Sequence, residues 1–261
     1  MNANVYYEIL KQYNLWNVED VIPVAHIRIR PDIGILLDND GNFMGAKLLT
    51  NERCSIPCTI DSESRTAGVN PHPIHDNMSY VCGNYIEYRH EAYMNQLENY
   101  IEDTDDELAK SVYKYLSKNT IYNDVSSILP EVTVPEDKAM IIFATPNHTD
   151  TISKKWTEYY VNSLEKNDFC PITGEPDYIP DKYPKGIRNA SDMAKLFLAT
   201  EKPLNSMPIL SPGYITSQKI LHTLQFMMYE GDSWAYGILK DYMEYLPNEI
   251  QKKVKKYYGM K

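Results

Sequence analysis

Residues 34–49 read GILLDNDGNFMGAKLL. Two apolar runs flank Asn39-Asp40-Gly41, and a glycine there supplies the positive φ that a tight turn between strands needs, so the stretch predicts a β-hairpin. Just upstream, AHIRIRP (residues 25–31) alternates apolar and charged positions, the period of a half-buried strand. Residues 24–60 therefore predict a small antiparallel sheet. That sheet decides the fold class, because most of the patterning outside it is helical.

Upstream, Asn4 is placed to cap a short helix over VYYEILKQY (residues 5–13). Downstream, Ile86, Tyr93, Leu97, Tyr100 and Ile101 recur at helical spacing, and DDELAKSVYKYLSKN (residues 105–119) starts another helix with an acidic first turn suited to its dipole. AMIIFA (residues 139–144), bounded by charge and by Pro146, predicts a buried strand; TISKKWTEYYVNSLEK (residues 151–166) returns to helical periodicity. From Ile215 the pattern is helical, with Ile220, Leu224 and Met228 on one face and Trp234, Ile238, Tyr242 and Leu246 on another. Strands early and helices late predict an α+β fold: an N-terminal small antiparallel sheet with helices, then a mostly helical C-terminal part. The proline-rich loop at residues 171–186 is the best boundary, dividing residues 1–180 from 181–261.

The chain carries 36 acidic and 26 basic residues, a formal net charge of -10, so its overall field repels polyanions and any nucleic-acid contact has to be local. No apolar run approaches the roughly 20 residues a bilayer span requires, so no membrane is expected as a partner. The opening MNANVYYEILKQYN has no basic leader followed by an apolar run, which makes the cytoplasm the expected location and reduced thiols the expected state of Cys54, Cys58, Cys82 and Cys170. The 22 tyrosines suit interfaces as well as half-buried helices and strands.

Cys54 and Cys58, with His72, His75 or Cys82, could supply zinc ligands, but the usual paired C-x-x-C or H-x-x-x-H partner is missing; thiols packed in a strand are the expected reading, with no metal and no cofactor. His72 and His75 precede Asp76 as a base precedes its orienting carboxylate, yet no serine or cysteine stands in a nucleophile context, so Asp76 or Asn77 is expected to cap the next helix. ENYIEDTDDE (residues 98–107) concentrates six carboxylates, read as a solvated loop and helix start rather than a cation site or a phosphate mimic. Phosphate-cradling glycine motifs are absent, and no enzymatic activity is expected.

SESRTAGVNPHP (residues 62–73) is different. Gly68 relieves backbone crowding, Arg65 offers a fork suited to guanine or phosphate, and Asn70, His72 and Asn77 are side chains able to read base edges.

Three segments together resemble one family, the large subunit of type I-C CRISPR surveillance complexes, the Cascade subunit that recognises the protospacer-adjacent motif. They are IPVAHIRIRPDIGILLDNDGNFMGAKLL, then SRTAGVNPHPIHDNMSYVCG with RHEAY after it, and FCPITGEPDYIPDKYPKGIRNASDMAKLFLAT. The matching positions are Arg65, Thr66, Gly68, Pro71, Asp76 and Asn77, then Cys170, Thr173, Gly174, Glu175, Lys185 and Gly186. The likeness covers roughly residues 1–230, the N-terminal part of a longer family member. It implies partnership with Cascade protein subunits and crRNA, and a grip on double-stranded DNA beside the target through Arg65, Thr66, Gly68, Asn70, His72 and Asn77. Lys182, Lys185 and Arg188 would hold phosphates. It also implies support for strand separation without nuclease activity. The chain departs from the pattern where Asp61, Ser62 and Glu63 stand in place of basic residues, and carboxylates there add repulsion toward DNA. The same resemblance leaves room for a second role, a truncated acidic decoy encoded by a virus or mobile element that occupies the large subunit's place and blocks interference.

Overall fold

The computed structural model describes residues 3–15, 21–50, 52–185, 195–198 and 210–229. In chain order the elements are α1 (Ala3–Leu15), β1 (His26–Ile29), β2 (Ile33–Leu37), β3 (Phe43–Leu48), β4 (Cys54–Pro57), α2 (Ile60–Glu63), β5 (Asp76–Asn77), α3 (Met78–Val81), α4 (Glu87–Thr104), α5 (Glu107–Leu116), α6 (Ile121–Val125), β6 (Met140–Ala144), α7 (Lys154–Ser163), β7 (Asp168–Phe169), β8 (Pro176–Asp177) and α8 (Tyr214–Tyr229). The fold is α+β. The chain forms two compact units, Ala25–Ser163 and a discontinuous one of Met1–Val24 with Leu164–Lys261. The proline-rich loop at 171–186 lies inside the second.

In the unit of Ala25–Ser163 the hairpin forms as its sequence predicts: β2 and β3 pair antiparallel, Ile33 opposite Leu48, around a turn in which Gly41 has φ 74°. Asp38 organises that turn by accepting the N–H groups of Asp40 at 2.9 Å and Asn42 at 2.7 Å. These hydrogen bonds, those from Asn42 first, hold the Asp38 carboxyl below its ordinary pKa.

The early sheet differs from the expected one. β1 pairs only with β4, while β2 takes β6 from more than a hundred residues away as a parallel neighbour, giving the order β3-β2-β6-β5. One face of that sheet, Ile33, Ile35, Leu37, Ile141 and Phe143, is buried. The driving force is this apolar face, since β6 brings two large residues onto the same side at period two. Asp32 locks the register, its backbone and side chain both bonding Met140.

Helix α4 buries Tyr93, Leu97 and Tyr100, the stripe its spacing predicts, and α5 is capped by Asp106, whose side chain accepts from the Ala109 N–H. Trp156 on α7 is buried against Tyr100, Tyr159 and Tyr160 and donates its indole N–H to the Cys58 carbonyl at 3.1 Å. Tyrosines supply much of this core as apolar bodies with a satisfied hydroxyl tip.

In the other unit, Val5, Tyr6, Ile9 and Leu10 of α1 share a core with Cys170, Tyr183, Phe197 and Ile220, Leu221 and Leu224 of α8. Helix α1 begins at Ala3, so Asn4 lies inside its first turn rather than ahead of it as a cap. The strands β7 and β8 flank the CPITGE turn, in which Gly174 has φ 76°. Burial acts to raise the Cys170 thiol, but N–H groups of Gly213, Thr173 and Ile172 and the Thr173 hydroxyl outweigh it and leave the pKa lowered. Trp234, Ile238, Tyr242 and Leu246 lie outside the described residues, and none of the described helices is long and apolar enough to cross a membrane.

Candidate functional site

The segment following β4 is built as a clamped finger. Thr59 opens α2 with a capping box, its hydroxyl accepting the Ser62 N–H at 3.0 Å and its own N–H donating to Ser62 Oγ at 2.8 Å. Part of the expected loop is thus a helical turn, over in four residues. Then Thr66, Ala67, Gly68 and Val69 stand exposed, and Pro71 to Asp76 return into the interior.

Asp76 is the anchor. Its side chain is fully buried, and four donors converge on it: Arg65 Nη1 at 2.6 Å, Arg65 Nη2, the His72 N–H at 2.7 Å and the Asn77 N–H at 2.7 Å. Satisfying a buried carboxylate this fully is what makes its burial tolerable. Arg65 uses its remaining capacity inward as well. Nη1 also donates to the Asn70 carbonyl at 2.9 Å, and the guanidinium lies over the Tyr80 ring at 4.4 Å. Tyr80 closes the circuit by accepting the Asn70 N–H at 3.2 Å.

The backbone around Pro73 is strained and held. Ile74 has φ 64°, a conformation a β-branched residue rarely adopts, and the His75 N–H closes a three-residue turn onto the Pro73 carbonyl at 2.6 Å. Burial of Ile74 and a bond from the Tyr93 hydroxyl to its carbonyl at 2.6 Å fix it there. β5 then pairs Asp76 with Ile141 on β6, tying the base of the finger to the sheet, and Asn77 caps α3 by accepting the Ser79 N–H.

The residues read from sequence as a DNA-contacting set take different positions. Thr66 and Gly68 are exposed at the tip, Gly68 with φ 81°. Asn70 is half-buried and turns its amide back toward the Ala67 carbonyl at 3.4 Å, and Asn77 is engaged as a cap. His72 is buried, and burial pushes its pKa down to about 4, so the ring is neutral and faces no solvent. His75 is buried likewise and lowered to about 3 by burial and by the neighbouring His26. Arg65 is directed into the protein. Lys182 and Lys185 belong to the other unit, Lys182 exposed and Lys185 half-buried, and Arg188 lies outside the described residues.

Tyr80 carries weight that sequence reasoning missed: the Arg65–Tyr80 stack joins positions with no period in common and left no signal.

The other candidate clusters resolve into structure. Cys54, Cys58, Cys82 and Cys170 are free thiols, and burial raises the pKa of the first three. Among the described residues no group of three His, Cys, Asp or Glu side chains is placed to hold a metal ion. Of the carboxylates at 98–107, Asp106 caps α5 and accepts from the Tyr100 hydroxyl at 2.9 Å, Asp105 pairs with Lys110, and Glu98 accepts from the Tyr113 hydroxyl at 3.0 Å.

A family model described as CRISPR-associated protein (Cas_Csd1) matches residues 4–207, most of the chain. No curated protein matches it.

Proposed function

Because the chain belongs to the CRISPR-associated Cas_Csd1 family, we propose that it works as a large-subunit-like component of a type I-C RNA-guided surveillance complex, recognising the protospacer-adjacent motif and supporting target unwinding. Its partners in this reading are the other Cascade proteins, crRNA and the double-stranded target. It carries no cleavage chemistry of its own.

The observation that carries the reading is the finger at residues 65–77: an exposed, glycine-bearing tip of four residues on a base fixed by a buried carboxylate and a sheet contact. Preorganisation of this kind lowers the ordering cost of contact with a rigid partner such as duplex DNA. The formal charge of -10 places the burden on such local geometry, since the whole-molecule field opposes approach.

The test is reconstitution of the complex with this chain, followed by binding of target duplexes that differ only in the base pairs flanking the guide-matched sequence. A motif reader gives affinities that vary with the flank and that fall when the tip is altered. Assembly with no duplex binding would instead be the behaviour of the acidic decoy and would remove this proposal.

A further inference from the structure

The sequence assigns Arg65 to the DNA, and the geometry points to a different division of labour: Arg65 is a positioning residue, and the main-chain N–H groups of Thr66, Ala67, Gly68 and Val69 make the contact, with phosphate oxygens of the flanking duplex. This rests on the duplex-contacting reading above and names the chemistry of that contact.

Three observations converge. Arg65 is committed elsewhere, with both terminal nitrogens on Asp76, one of them also on the Asn70 carbonyl, and its plane on Tyr80. A guanidinium so engaged would have to abandon a fully buried carboxylate to reach a base, leaving Asp76 with two backbone donors and an uncompensated charge. Next, the four tip residues are exposed, and their N–H groups make no hydrogen bond among the described residues. They are consecutive, and Gly68 with φ 81° turns the chain within them; a left-handed residue is an element from which backbone anion-binding concavities are built. Finally, the tip side chains are small and uncharged, so the backbone meets no bulk on its way to a sugar-phosphate strand, and Val69 offers an apolar surface beside it.

The clamp explains why the finger needs Arg65 at all. Arg65, fixed on Asp76, is one end of the tip, and Asn70 is the other, its carbonyl accepting from the guanidinium and its N–H donating to the Tyr80 hydroxyl, so the tip is strung across a fixed base. Neutral donors also fit the local charge: exposed Asp61 and half-buried Glu63 stand on α2 immediately before the finger. They weaken attraction to a polyanion, and the contact depends on shape more than on field.

The experiment uses the full chain in its assembled complex and a target duplex with fixed flank, titrated from low to moderate salt. A residue that neutralises a phosphate contributes a slope of about -0.9 in log K against log salt; a positioning residue contributes none. Arg65→Ala is expected to weaken binding while leaving the salt slope and the flank preference of the wild type intact, and to increase exchange of the Asn70 amide. Val69→Pro, which deletes one tip N–H, is expected to bind about tenfold more weakly than Val69→Ala, which loses side-chain bulk but keeps the N–H, as loss of a hydrogen bond to a charged acceptor does. A slope change of about one for Arg65→Ala, or an altered flank preference, would place the guanidinium on the DNA and overturn the inference. So would Val69→Pro binding as Val69→Ala does. Failure of the wild-type complex to bind duplex removes the underlying functional reading along with this one.

Discussion

Replacing Asp76 by leucine and Arg65 by methionine, singly and together, measures what the clamp contributes. The two sites are unequal. Asp76 is fully buried, so Asp76→Leu strands the His72 and Asn77 N–H groups as well as the guanidinium. The buried His72 N–H left without an acceptor costs about 1–3 kcal/mol, the half-buried Asn77 N–H costs less, and breaking a buried pair from one side costs about 3–5 kcal/mol, which gives about 5 kcal/mol for this variant once the overlap of the terms is allowed for. Arg65→Met leaves the carboxylate with its two backbone donors, and the arginine side chain is itself 17% exposed, so about 3 kcal/mol is expected. In the double variant neither charge is left alone, and a loss of about 5–6 kcal/mol, well short of the sum, corresponds to a coupling of about 2–3 kcal/mol. The assay is urea unfolding of the four proteins followed by circular dichroism at pH 7, with the slopes compared to check that the transition is unchanged. Additivity within about 0.5 kcal/mol, or a larger loss for Arg65→Met than for Asp76→Leu, would refute the reasoning that the buried carboxylate is the anchor.

Acid should loosen the same region. An unfolded histidine titrates near pH 6.5, whereas His72 and His75 are held down to about 4 and about 3 by burial, so the stability they confer as neutral rings is complete above about pH 6.5 and is lost as pH falls toward those values. At pH 5 the loss is about 2 kcal/mol for each; a variant with both replaced by glutamine should lose less between pH 7 and 5 than wild type, and equal losses would clear the histidines. The two turn glycines should respond differently to alanine. At Gly41 a Cβ would sit 2.5 Å from the Ser111 carbonyl oxygen, so strain at φ 74° and a steric clash together cost about 3 kcal/mol, whereas at Gly68 the nearest atom is Asn70 Nδ2 at 3.3 Å and the cost is about 1 kcal/mol. Thermal melts check this, and matching shifts would mean that packing at the hairpin turn is not what distinguishes them.

Much of this molecule was legible as local pattern. Two apolar runs around Asn39-Asp40-Gly41 specified the β2–β3 hairpin, spacing specified the buried stripe of α4, and the acidic first turn of residues 105–119 specified the helix that becomes α5. Such features depend on neighbours within a few residues, where propensity, turn chemistry and period act directly. The finger was legible only as composition: its glycine was readable, but the pairing of Arg65 with Asp76 was not.

Tertiary structure alone decided three things: that β6 enters beside β2 as a parallel strand, that Tyr80 lies under Arg65, and that Asp76 receives the Arg65 guanidinium. Each joins groups with no common period, and each is settled by desolvation. A carboxylate carried into the interior by β5 interacts with the nearest fork far more strongly than solvent-exposed charges do with one another, and that pairing of Arg65 with Asp76 is invisible in sequence because nothing local to either residue specifies it.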